Sequence, residues 1–538
     1  MKRTTLSLIA VATALAAITG AAAVSGSDAD APAAASAAAR LPVERSSLLC
    51  PAPSTSELAE TLYTSYTPAA AAGAPSPSAS EDGDAPTAAA ELRAATARLA
   101  GAADAPAEDG ETEDGETEDG GEGAGDSAGA GKTDAGEAAP KPVLALKQPG
   151  TPVSAEADGG EAPALLGTAS GALAPGWTTQ QTTTVPAGAG RGLLGISCTG
   201  PDTDFWFPGA SLAGSRQDYV HLSNPDDASA VVDIELYGKD GLLKATLTEG
   251  ITVPPGGSVP VLLSTLTTDK AEDVTVHVST RTGRVGAAVR AFDEALGSDW
   301  LTASAAPAST AVLPGIPGDA TSVQLVAFAP GEDDAALTVR FAGPTGTITP
   351  AGSESVRVKS GMTSVLDLAD VSKGEAGSLL LSPAEDGAAT PVVAALRVVR
   401  GTGEKRETAF IPAAAPVGER ASVADNRDRG TMLSMAAPGA AAEVEVAASA
   451  GTRGGTPAVR KYTVKAGTTL TITAPLPEGL KGVYALTVRT LSGGPVHASR
   501  MLEVSEDGIP MFTVQNLPDD RGTVSVPTAE QDLTVLGH

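Results

Sequence analysis

Four histidines, two cysteines and three tryptophans are the residues of this chain best suited to catalysis, metal binding or sugar recognition. His221, His277 and His497 each lie inside an alternating apolar–polar stretch, and His538 closes the chain. No two have metal-ligand spacing, and none stands beside a Ser or Cys in a nucleophile context, so they read as sheet residues. Gly125-Asp126-Ser127-Ala128-Gly129 matches a nucleophile elbow in letters only. That elbow needs a strand before it and a helix after it, and neither pattern is present. Gly131-Lys132-Thr133 resembles the end of a phosphate loop, but Asp126 stands where the first glycine belongs. Glu-Asp-Gly-Glu-Thr pentads begin at Glu108. They offer carboxylate oxygens to Ca²⁺ without the alternating ligands of an EF-hand, which points to a diffuse counterion cloud. No catalytic, cofactor-binding or metal-ligating residue is assigned, no local motif singles out a carboxylate pair for glycoside hydrolysis, and the chain reads as non-enzymatic.

Cys50 and Cys198 are the two cysteines. In an exported chain they most simply form one disulfide. Closing a loop of about 150 residues is worth about 4–5 kcal/mol in the chain-entropy model. Trp206, flanked by Phe205 and Phe207, follows Cys198 closely, so the expectation is an aromatic group packed on the disulfide. Ligand contact by these three aromatics is the alternative. The other tryptophans, Trp177 and Trp300, are scattered and offer little of the platform that sugar-binding β-modules present.

The elements that must position these residues are β-strands. A pattern of about 105 residues recurs three times, with turn prolines Pro225, Pro330 and Pro438, glycines Gly257, Gly361 and Gly467, and closing valines Val285, Val392 and Val496. Within each repeat, short alternating runs are separated by turn residues, as in Tyr219–Leu222, Asn224-Pro225-Asp226-Asp227 and Val231–Tyr237. About seven short strands per repeat predict an all-β chain of tandem antiparallel immunoglobulin-like sandwiches. The expected division is a β-domain at 41–217 interrupted by a disordered acidic insertion at 67–140, then modules at 218–321, 322–430 and 431–538. The connectors 301–321 and 402–430 hold short apolar pieces that read as edge strands. Between Glu81 and Pro140 there are 17 acids and 3 bases, too little apolar surface to offset the entropy of ordering. The best helix candidate, Ala88–Ala100, lies within that insertion. Tandem modules of this kind make a stiff rod when strung out, and the sequence leaves open whether they string out or fold together.

Export is the clearest functional signal. Lys2 and Arg3 precede an apolar run from Leu6 to Val24, so 1–24 reads as a signal peptide, with an uncleaved membrane anchor as the alternative, and 25–40 as a flexible tether. Both place the rest of the chain in the cell envelope or outside the cell. A net charge of −29 argues against nucleic acid and against docking on anionic lipid.

Leu41-Pro-Val-Glu-Arg-Ser-Ser-Leu-Leu-Cys50-Pro-Ala-Pro-Ser54 resembles the opening of an uncharacterised secreted actinobacterial family, the domain of unknown function 5719. Ser197-Cys198-Thr199-Gly200-Pro201 with Phe205-Trp206-Phe207-Pro208-Gly209-Ala210 is similar to that family's central cysteine and aromatic signature. The likeness runs to about residue 505, and the acidic insertion departs from it. It implies export and β-rich domains, with no established activity and hence no catalytic residue to carry over. The expected role is a scaffold, spacer or protein-interaction arm binding an envelope protein. The alternative is an array of modules binding cell-wall polysaccharide or another glycan.

Overall fold

The computed structural model describes residues 39–70, 88–97, 141–188, 190–246, 249–385 and 387–526. The expectations for the signal segment 1–24, most of the tether 25–40, the acidic pentads, the two glycine-rich strings and His538 fall outside these residues. The described residues are strands joined by turns, with three short 3₁₀ turns and no helix long and apolar enough to cross a membrane.

After β1 (Ala39–Pro42), four sandwiches follow in succession. Module I holds β2 (Arg45–Cys50), β3 (Glu60–Tyr66), β4 (Ala89–Ala94), β5 (Thr96–Ala97), β6 (Leu144–Leu146), β7 (Val153–Asp158), β8 (Leu165–Ser170), β9 (Thr178–Val185) and β10 (Gly192–Ser197). Module II holds β11 (Asp204–Ala210), β12 (Tyr219–Ser223), β13 (Ala230–Gly238), β14 (Gly241–Leu242), β15 (Ile251–Val253), β16 (Gly257–Leu262), β17 (Val274–Thr282), β18 (Gly286–Asp293) and β19 (Gly297–Leu301). Module III holds β20 (Ala311–Ile316), β21 (Ala320–Phe328), β22 (Ala335–Ala342), β23 (Thr347–Ile348), β24 (Ser355–Val358), β25 (Thr363–Asp367), β26 (Gly377–Pro383), β27 (Val393–Arg400) and β28 (Glu407–Pro412). Module IV holds β29 (Arg420–Asn426), β30 (Thr431–Ala437), β31 (Ala442–Gly451), β32 (Ala458–Val464), β33 (Thr468–Thr473), β34 (Tyr484–Gly493), β35 (His497–Glu506) and β36 (Ile509–Asn516). β37 (Thr523–Val526) pairs with β1 in a separate two-stranded sheet.

All four modules share one topology. One sheet of each runs β2-β8-β4-β6, β11-β17-β13-β14, β20-β26-β22-β23 or β29-β34-β31-β32. The other runs β10-β9-β3-β7, β19-β18-β12-β16, β28-β27-β21-β25 or β36-β35-β30-β33. Module I is therefore a fourth copy of the repeat. Its landmarks are Pro68, Gly150 and Trp177, hidden because 82 positions separate Pro68 from Gly150 where 31 separate Pro330 from Gly361.

Three features differ from the sequence reading. The helix expected over Ala88–Ala100 is strand where it is described, β4 and β5. Ala90 and Leu92 point to one side of β4 and fill the core beside β8, and this burial outweighs alanine's helix propensity. Residues 88–97 thus belong to the sandwich and divide the stretch read as one disordered insertion. The module edges also shift, because β11, β20 and β29 open modules II, III and IV ahead of the expected starts.

The modules do not string out as a rod: residues 42–522 form one compact body. The closing strands β10, β19, β28 and β36 pack in a ring, β10 on β19, β19 on β28, β28 on β36 and β36 on β10. The opening strands seal the seams, with β11 on β27, β20 on β35 and β29 on β9. β19, β20 and β28 are buried at every residue. Strands covered on both faces cannot belong to isolated sandwiches with one wet face per sheet, and the ring supplies the second cover.

Candidate functional site

A half-buried cluster of chemically varied side chains lies on the outer face of β11-β17-β13. Phe205, Phe207, Val276, Val278 and Leu236 turn inward to the module II core, so the alternate residues face out. Register then sets Trp206 opposite His277 and His277 opposite Glu235. The indole and imidazole stack with centroids 3.8 Å apart and planes 9° apart. His277 Nε2 lies 2.8 Å from Asp204 Oδ2, and Nδ1 lies 3.0 Å from Glu235 Oε2. The Tyr237 hydroxyl donates to that same Glu235 oxygen at 3.0 Å. Burial first, and then Glu235, push its phenol up to about 12.

This arrangement holds groups in place and leaves little free for chemistry. The two carboxylates sit on opposite ring nitrogens, so no single ion could be ligated by all three groups. Among the described residues no group of three His, Cys, Asp or Glu has metal-binding geometry. Phe328 of module III stacks at 5.2 Å from Trp206, and Thr363 Oγ1 donates to Tyr237 O at 2.6 Å. The cluster therefore borders the seam between modules II and III.

Cys50 and Cys198 form the expected disulfide, tying the end of β2 to the residue after β10. The tryptophan beside it is Trp177, which shares an apolar cluster with both cysteines and Tyr63 and donates from its indole to Ser65 Oγ at 2.7 Å. Trp206 does not pack there, because β11 crosses into module II and carries Phe205 and Phe207 into that module's core. His221 is buried edge-on to Trp300, its centroid 5.1 Å away. Neither of its ring nitrogens has a hydrogen-bond partner among the described residues, and it lines a cavity of about 10 Å³. Burial, helped by Arg290, holds its imidazole well below the usual range. His497 Nδ1 lies 2.8 Å from Ala414 O.

Sequence reasoning missed the residue on which the ring converges. Asp299, in β19, is 1% exposed where the closing strands meet. Gly195 N of module I donates to its Oδ1 at 3.2 Å, and Thr513 Oγ1 of module IV lies 3.0 and 3.2 Å from its two oxygens. The backbone amides of Trp300 and of Phe410 in module III also favour its charged form. One carboxylate of module II thus takes hydrogen bonds from modules I and IV, and an amide of module III favours its charge. Burial raises it well above the usual carboxylate range, and these hydrogen bonds oppose the rise. Nearby, Arg191 Nε crosses from module I to Glu407 Oε1 of module III at 2.6 Å. Burial pushes Glu407 up to about 7 against the pull of Arg191. No local motif marks either acid, since their neighbours come from distant strands.

No curated protein and no solved structure matches the chain. The model of a family of unknown function, DUF5719, matches residues 153–475, and because that stretch covers more than half of the chain, the protein belongs to that family.

Proposed function

We propose that the protein is a non-enzymatic scaffold of the cell envelope or exterior whose rigid four-module ring presents its periphery to a partner protein. The observation that carries this reading is the buried hub, where Asp299 of module II takes hydrogen bonds from modules I and IV beside module III. Such a hub holds the modules in one relative geometry and presents no reacting atom to solvent. The disulfide favours an oxidising compartment, in keeping with export. Reading the ring as a glycan-binding array requires an exposed aromatic face. Among the described residues no Trp, Tyr or Phe reaches the exposed class, and Trp206 is stacked by His277 and Phe328.

Proximity cross-linking of the exported protein in its host, with mass spectrometry of partners and of the mature N-terminus, tests the proposal. The expected result is one recurrent envelope protein, lost when the ring is opened by Asp299→Ala. Recovery of wall polysaccharide without a stable protein partner overturns it in favour of glycan binding.

A further inference from the structure

The four seams of the ring follow one plan, and one of them leaves a groove. Gly150, Gly256, Gly361 and Gly467 all have positive φ, which side chains other than glycine adopt at a cost. In modules I, III and IV this glycine donates its N–H to the carbonyl just before the turn proline, Thr67 at 2.7, Ala329 at 2.9 and Ala437 at 2.8 Å, and in module II to Asp226 just after Pro225 at 3.1 Å. The strand that follows, β7, β16, β25 or β33, is where the preceding module closes.

Between modules II and III, Thr363 Oγ1 reaches Tyr237 O at 2.6 Å and Thr275 Oγ1 at 2.9 Å. Between III and IV, Thr469 N donates to Gly343 O at 3.0 Å and its hydroxyl to Ser378 Oγ at 2.9 Å. Between I and II, β5 adds to β16 as a parallel strand, with Thr96 N donating to Gly256 O at 3.0 Å. Between IV and I the equivalent residue is Pro152, which has neither the hydroxyl nor the N–H that closes the II–III and III–IV seams. β7 ends its sheet there, paired on one side only among the described residues. A groove of about 380 Å³ opens beside it, with Leu62, Ser154 and Glu156 of module I facing Thr452, Arg453 and Val483 of module IV.

We propose that this groove takes an extended peptide of a partner protein as an added strand on β7, as β5 is added to β16, with a peptide carboxylate facing Arg453. The one-sided strand presents unpaired N–H and C=O groups, the main-chain template for strand addition. Ser154, Glu156 and Asp158 alternate as exposed positions along it. Arg453 is exposed and forms no ion pair among the described residues, so its charge is free for an incoming acid. No aromatic lines the groove, which favours a main chain over a sugar ring.

The inference rests on the interaction-scaffold reading and names its surface. A phage-displayed library of random dodecapeptides, panned on the full-length protein, tests it. The expected result is a set of enriched β-prone sequences with Asp or Glu at one recurring position. Their affinity falls at least about tenfold in Arg453→Glu and in the groove-filling Ser154→Trp, and the amides of residues 153–158 gain hydrogen-exchange protection on binding. Both variants change exposed residues, and an unchanged unfolding transition verifies their folding. Enriched peptides that bind both variants like wild type, or protect other amides, overturn the groove while leaving the scaffold reading intact. A library without enrichment also overturns the groove, whereas the scaffold reading is judged separately by cross-linking.

Discussion

The seam between modules II and III and the seam between IV and I occupy equivalent places in the ring and are built from opposite materials. At the first, Ala395 and Phe410 of module III join the apolar cluster of module II. At the second, apolar contact shrinks to Tyr66 with Ala424 and Ala485, and Leu193 with Leu502 and Met511. The buried atoms Gln180 Oε1, Thr182 Oγ1, Arg500 Nε and Gln515 Oε1 have no partner among the described residues. The contrast extends into the modules. The cross-strand row Leu325–Leu396–Ile411 in module III is apolar throughout. Its counterparts are Tyr63–Gln181–Ile196 in module I and Leu433–Arg500–Gln515 in module IV. One topology therefore tolerates either chemistry, and polarity concentrates where the ring closes on itself. An unsatisfied buried polar group costs about 1–3 kcal/mol, so this seam is the weaker one.

The largest expected effect breaks the apolar seam. Phe410 is 1% exposed, and Phe410→Ala should cost about 3–5 kcal/mol in urea unfolding. Gln180→Ala at the polar seam should stay within about 1 kcal/mol, and equal losses would erase the distinction. Next comes the hub: Asp299→Ala strands buried donors from Gly195 and Thr513 and should cost about 3 kcal/mol. A loss below about 0.5 kcal/mol would show that the four modules hold together without it.

Glu407 adds a pH test. Its folded pKa of about 7 lies above its ordinary 4.5, so the folded state binds the extra proton between those values. Stability from this group is full below pH 4.5 and is lost as pH rises through 7, on the order of 3 kcal/mol in all. His221, held low, acts in the opposite sense as pH falls below its ordinary 6.5. Glu407→Gln should therefore flatten only the fall toward pH 7 in a series of urea midpoints, and an unchanged profile would refute the assignment.

The smallest effect sharpens the comparison from the polar side. Burial lowers Arg500 to about 10, and its Nε and Nη1 lack partners among the described residues. Arg500→Leu gives module IV the residue type of Leu396 and should stabilise by about 1 kcal/mol. A clear loss would show instead that the guanidinium holds Ala424 and Asp425 in place.

By itself the amino-acid sequence determined the strand class, three of the four repeats and the disulfide. Alternation and turn chemistry are local, and two cysteines leave one intramolecular pairing. Pro225, Pro330 and Pro438 were legible because each precedes its glycine by 32, 31 and 29 positions, while the same mark at Pro68 was separated from Gly150 by inserted residues. Residues 88–97 were misread because alanine favours a helix until tertiary contacts bury one side of a strand. Tertiary structure alone decided the ring, the separation of Trp206 from the disulfide, the convergence on Asp299 and the open groove beside β7. Each depends on strands distant in the sequence meeting side by side. The energy of such meetings comes from apolar surface removed from water and from hydrogen bonds completed across modules, and neither leaves a periodic trace in any one segment.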